Sequence, residues 1–140
     1  IKMTLESAQI LCTATLYHGG KALYISTHAN HPCTLWTKAS VSNFIWLQSH
    51  ARALAAEYTF RFSKQHASLR VIESLKPVGP DISWTPPPNC SLFKHLPLCP
   101  AYQQTLLTKW KNDKRKPRWT RTAPPSWFDH IPLTQPLELA

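Results

Sequence analysis

Three groups of residues carry enough chemistry to frame what this chain does. The first is His28-x-x-His31-x-Cys33, two imidazoles and a thiol placed around Pro32. Nitrogen and sulfur donors suit zinc, but zinc asks for four ligands, or for three and a water. The H-x-x-H-x-C spacing matches no closed zinc module, and a further ligand would have to come from Cys12, His18 or His50. A turn is the better-motivated reading. Asn30-His31-Pro32 reverses the chain, and Leu35 and Trp36 then anchor the loop to the core. No metal is expected at this position, and Cys33 reads as a packing residue. No cofactor is expected either, because the chain has no P-loop, GxGxxG, HExxH or nucleophile elbow.

The second group is a stripe on one helix. Asn43, Trp46, His50, Ala53, Glu57 and Arg61 advance by three or four residues at a time along one side of a helical segment. An ordinary solvent face is richer in Lys and Glu. This one offers an aromatic plate, an imidazole, a carboxylate and a guanidinium, a set able to stack a base, move a proton and hold a phosphate. The plainer alternative is a Glu57–Arg61 ion pair with Trp46 packed on a neighbour. Glu6, on an earlier helix, is a second candidate carboxylate, and it shares a cleft with Glu57 if the two helices pack antiparallel. His31, aimed by its turn, would complete the wall of that cleft. Glu6, Glu57, His31 and Arg61 are therefore the candidate catalytic residues.

The third group is the most specific for a partner. Residues 109 to 121 read KWKNDKRKPRWTR, with seven basic residues against one acid, a net +6 out of +9 for the whole chain. Lys109, Lys111, Lys114, Arg115, Lys116, Arg118 and Arg121 are interleaved with Trp110 and Trp119. Cations that track a phosphate backbone, with aromatic rings for bases or sugars, suit nucleic acid. These residues, with Asn43, Trp46 and Trp119, form the expected nucleic-acid-binding set. A membrane-surface helix would need an apolar face, and Pro117 interrupts any helix here.

These groups need elements to hold them. Apolar residues at Ile1, Leu5, Ala8, Cys12 and Leu16 predict a helix over 1–17, ended by His18-Gly19-Gly20. Ser40 or Ser42 can cap a long second helix running to about Ser63, with Val41, Phe44 or Ile45, Gln48, Ala51, Leu54 or Ala55, Tyr58 and Phe62 recurring at three and four. A third helix is expected over 65–75, stopped by Lys76-Pro77. Residues 77–100 carry seven prolines and read as an extended connection. Its Trp84, Leu92, Phe93, Leu96 and Leu98 argue that it packs on something. A fourth helix is expected over 101–112, after Pro100. The fold expected is all-α: a helical domain over 1–113, and a basic, then Pro-rich C-terminal segment over 114–140 that packs on it.

Composition sets the outer limits. The 140 residues suit one modest core, and sixteen Lys and Arg against seven Asp and Glu ask for an acidic partner. No apolar run is long enough to span a bilayer, and nothing resembles a signal peptide. The four cysteines form no CxxC pair and read as reduced, mostly core-filling thiols, with a Cys90–Cys99 bridge open if the compartment oxidises. The chain opens inside a helix without an initiator Met, so an upstream segment is expected.

The motifs Lys2-Met3-x-x-Glu6-x-Ala8-Gln9, Asn30-His31-Pro32-x-x-x-Trp36, Asn43-x-x-Trp46 and Glu57-Tyr58-x-x-Arg61 carry a resemblance. Lys64, His66, Ala101-Tyr102, the 109–120 segment and Pro124-Pro125-x-Trp127-Phe128 extend it over most of the chain. Together they resemble a group of small, mostly phage-encoded proteins of unestablished activity, whose members begin upstream with a segment ending D-K-H-V. More loosely, the chain is similar to pyrimidine-dimer DNA glycosylases, small basic all-α enzymes with an N-H-P loop before a long helix and a K/R-x-P-x-W segment. That resemblance implies a glycosylase with lyase activity, in which an N-terminal amine attacks the sugar C1′, a glutamate assists, and the base is flipped out of the duplex. The nucleophile is unassigned in this chain, and Glu6 or Glu57 would be the assisting carboxylate. The resulting expectation is a DNA-acting, phage-type protein, glycosylase-like on a damaged or modified base. It would bind DNA rather than RNA and no membrane, and would work in the cytoplasm of an infected bacterial host. The alternatives are a non-enzymatic nucleic-acid-binding or virion-associated protein, and a structural domain whose basic tail docks an acidic protein.

Overall fold

The computed structural model describes residues 1–129 and 131–136. Among these the protein is all-α, with helices α1 (Lys2–Tyr17), α2 (Pro32–Ala39), α3 (Val41–Phe62), α4 (Leu69–Ser74) and α5 (Leu98–Asn112). None is long and apolar enough to cross a membrane. The chain divides into two compact units, Ile1–Pro86 and Pro87–Ala140, so the division falls within the Pro-rich connection.

The first unit is built by α1 to α4, and its core gathers Ala8, Leu11, Cys12, Phe44, Leu47, Ala51, Val71 and Ile72. The face that α1 buries includes Ala8 and Cys12 of the apolar stripe expected of it, but not the other three members. Thr4, Ser7, Thr13 and Thr15 are buried, whereas Ile1, Leu5 and Leu16 are exposed. Small hydroxyl residues can go inside because each can return its proton to the preceding turn. Ser7 donates to the Met3 carbonyl (2.8 Å) and Thr15 to Leu11 (2.9 Å), while Thr13 Oγ1 lies 2.9 Å from the Gln9 carbonyl and 2.7 Å from that of Thr27, whose N–H it accepts at 2.9 Å. Ser7 and Thr15 are then satisfied within the helix, and Thr13 also ties α1 to the segment at Thr27. Helix α1 ends at His18, whose Nε2 lies 2.8 Å from the Lys38 carbonyl, while the Lys38 ammonium sits 3.9 Å from the Tyr17 ring centroid. Both interactions tie the end of α1 to the end of α2.

Helix α2 is a correction to the sequence reading, which had a loop there. Proline is tolerated in the first turn of a helix because its missing N–H would have no acceptor there. His31 caps α2: its Nδ1 accepts from the Cys33 N–H at 3.0 Å. Ser40 ends α2 and caps α3, its hydroxyl accepting from the Asn43 N–H at 3.0 Å. Helix α3 ends at Ser63 in the left-handed conformation. Helix α4 is shorter than the 65–75 expected, because His66 and Ser68 are committed to a turn. His66 Nδ1 accepts from the Ser68 N–H at 3.1 Å, and its Nε2 lies 3.1 Å from the Ile1 carbonyl. Arg52 and Glu73, paired at 2.9 Å, hold α4 against α3.

The connection after α4 is extended, as its prolines require. The Val41 N–H donates to the Pro80 carbonyl at 2.9 Å. Trp84 and Leu92 are exposed rather than packed. In the second unit Phe93 and Ser91 are buried, and α5 begins at Leu98, three residues before the expected start. Pro100 falls in its first turn, where again no N–H is needed. Tyr102 donates its hydroxyl proton to the Pro88 carbonyl (2.8 Å), and Gln104 donates to Pro132 (2.9 Å), so α5 organises the irregular segments on both sides of it. Cys12 is a core residue, whereas Cys90 and Cys99 are exposed and Cys33 is half-buried.

Candidate nucleic-acid interface

In the first unit α3 divides the expected stripe in two. Asn43 does not belong to an exposed face: it is 1% exposed and fully engaged. Its Nδ2 donates to the Trp36 carbonyl (2.8 Å) and to Thr85 Oγ1 (3.2 Å), while its Oδ1 accepts from the Thr85 N–H (3.1 Å). The side chain thus clips α2 and the extended segment around Thr85 to the start of α3. It is a structural bridge, since a buried amide with its hydrogen bonds made inside the protein has little left for a ligand.

Trp46 and His50 remain on the open side. The two rings stack at 5.2 Å with 12° between planes, and Trp36 meets Trp46 edge-on at 5.6 Å. Trp36 is itself fixed, donating its indole N–H to Thr85 at 2.9 Å. Partial desolvation, with the Trp46 ring covering one face, lowers the His50 pKa from its ordinary value. Further along α3, Arg61 Nε donates to Glu57 Oε1 at 2.7 Å. The stripe's charged pair is brought together on one helix, as i,i+4 spacing allows. Glu6 instead pairs with Lys2 along α1, at 3.6 Å. His31 turns its Nδ1 back onto the first turn of α2. Of the four candidate catalytic residues, Glu57 and Arg61 touch one another, and Glu6 and His31 are each occupied with their own helices.

The second unit concentrates the positive charge. Lys111, Lys114, Arg115, Lys116, Arg118 and Arg121 are all exposed; Lys109 is exposed too, but pairs with Asp113. These cations emerge from the end of α5 and the turn after it, and the turn is anchored by aromatic rings. Trp110 on α5 meets Trp119 edge-on at 5.3 Å, stacks on Trp127 at 5.9 Å with 9° between planes, and lies 5.9 Å from Phe128. Trp119 and Phe128 close the cluster at 5.5 Å. Lys116 donates to the Lys111 carbonyl at 2.6 Å, so a basic residue satisfies the open end of α5. Trp119 is therefore a member of a small aromatic core as well as a neighbour of the cations. Sequence reasoning missed the support given by Trp110, Trp127 and Phe128; the signal was the density of aromatics between 110 and 128, in a stretch otherwise basic and Pro-rich.

No protein-family model, curated protein or solved structure matches the chain.

Proposed function

We propose that the protein binds nucleic acid, DNA in the first instance, through the basic segment of its second unit. The observation that carries this reading is the set of six exposed cations, from Lys111 to Arg121, held on a cluster of four aromatic residues. Exposed Lys and Arg displace the counterions of a phosphate backbone, and anchoring their turn lowers the ordering cost of binding. An ordinary solvated charge run has no such anchor. In this reading Lys109 tunes the field through Asp113, and Trp119 stiffens the grip. Replacing Lys114, Arg115 and Arg118 together with Gln should weaken binding to every DNA sequence alike. The slope of log affinity against log salt should shrink by about 3, one for each cation taken off the phosphate backbone. Unchanged affinity and slope would sink the proposal.

A glycosylase-like reaction on a damaged or modified base is the fuller form of the proposal. The half-buried Glu57–Arg61 pair supports it, being the place where a candidate carboxylate and a candidate phosphate-binding guanidinium meet. Glu57 would be the acid/base, Arg61 would hold sugar or phosphate, and Trp46 would stack. Glu57→Gln should then abolish base release while leaving DNA binding intact, with stability moving by less than about 0.5 kcal/mol because a solvent-reached i,i+4 helix pair contributes little even when half-buried. Glu6→Gln is the companion variant, expected to leave base release unchanged. If Glu57→Gln leaves turnover on DNA carrying modified bases unchanged, this enzymatic reading fails and the binding reading stands.

A further inference from the structure

The second unit contains an open groove of about 540 Å³. Its walls include Trp110, Trp119, Phe128 and Leu133, and Lys111 and Lys116 stand beside them. This volume lies within the range of sites that hold small planar ligands, about 300–1,000 Å³. The rings are set by one another, Trp119 edge-on to both Trp110 (5.3 Å) and Phe128 (5.5 Å). A flat ligand would therefore meet a surface that is already organised. Lys116 uses part of its donor capacity on the carbonyls that end α5, at 2.6 Å from the Lys111 oxygen and 3.5 Å from the Trp110 oxygen. An ammonium has three protons to give, so one is left for an anion. Asp129, also at the groove, offers an acceptor for an amino group.

Aromatic walls with cations beside them fit a ligand that is flat and apolar at its centre and anionic next to it. A nucleotide within a strand has that form. In a duplex the faces of the bases are covered by their neighbours, so only an unpaired base can enter. We propose that the groove seats an unpaired base of a single-stranded nucleic acid, with Lys111 and Lys116 on the flanking phosphates. This rests on the nucleic-acid reading above and narrows it to an open strand.

The test uses the full chain and three labelled oligonucleotides of equal length: an oligothymidylate, a strand of abasic sites, and a duplex. All are titrated across a series of salt concentrations by fluorescence anisotropy and compared at equal salt, with tryptophan emission recorded alongside. The base-bearing strand should bind about 5- to 150-fold more tightly than the abasic strand, as stacking of one base allows. It should also outcompete the duplex and quench tryptophan emission. Leu133→Trp, which fills the groove from an exposed position and leaves every cation in place, should abolish the preference for bases but keep the salt slope. Trp119→Leu should do the same, and the helical circular dichroism of both variants reports whether they fold. Equal affinity for base-bearing and abasic strands, or preference for the duplex, would overturn the seat while the salt slope upholds the wider reading. Failure to bind any of the three would overturn both.

Discussion

Replacing Asn43 with alanine should cost stability, not ligand affinity. The amide makes three hydrogen bonds, at 2.8 and 3.2 Å from Nδ2 and at 3.1 Å to Oδ1. Each neutral hydrogen bond contributes a net of about 0.5–1.5 kcal/mol. Thr85 is exposed, so its orphaned N–H can turn to water and escapes the full penalty of burial. The cost should therefore be about 2–4 kcal/mol. For a unit of this size each kcal/mol moves the melting temperature by about 4–8 °C, so a drop of about 10–30 °C is expected. Urea unfolding followed by helical circular dichroism gives the free energy, and DNA titration below the new transition gives the affinity. Asn43→Asp sharpens the reasoning. A carboxylate would face the Trp36 carbonyl with no donor between them, oxygen against oxygen, so the variant should be weaker still at neutral pH. A change below about 0.5 kcal/mol for Asn43→Ala, or a selective fall in DNA affinity with stability intact, would refute the assignment of Asn43 as a bridge.

Two further outcomes follow from the same unit. Gly79 has φ +135°, and a Cβ added there would lie 3.0 Å from the backbone of Ser40 and Val41. Gly79→Ala should destabilise by about 1–3 kcal/mol, read from the denaturation midpoint, because neither the conformation nor the neighbouring backbone can yield cheaply. His50 is held below the usual histidine range by desolvation, so the folded chain takes up its proton at lower pH than the unfolded chain does. Its contribution is intact above about pH 6.5 and is lost as the pH falls through that value toward the folded pKa. An NMR titration should place the His50 midpoint below about 6.5. A parallel fall in Trp46 emission should accompany it, from the stacked imidazolium, and His50→Gln should remove that step.

The helices were legible in the sequence where periodicity and caps agreed. Ser40 before Val41 and Ser63 after Phe62 bound α3, and His18-Gly19-Gly20 closes α1. Burial was less legible. Ala8 and Cys12 of the expected apolar stripe do enter the core, but the inward face of α1 leaves Ile1, Leu5 and Leu16 outside. It also takes in serine and threonine, among them Ser7 and Thr15 whose hydroxyls return to their own helix. Helix α2 was hidden because Asn-His-Pro is a turn signal and also a helix start, and the choice depended on the Cys33 N–H finding His31. Of the candidate site, the basic segment and the Glu57–Arg61 pair could be read from spacing alone. The burial of Asn43 could not, because its partner Thr85 lies 42 residues away in a segment without periodicity. The aromatic cluster was equally hidden, since Trp110, Trp119 and Trp127 meet across irregular turns.

The central claim is that exposed cations of the second unit bind a phosphate backbone. The dissociation constant for duplex DNA, measured between about 50 and 200 mM salt by fluorescence anisotropy, tests it most directly. Neutralising about six phosphates at about 0.9 each predicts a log–log slope of roughly −5. A slope near zero, or no binding at the lowest salt, would contradict the account.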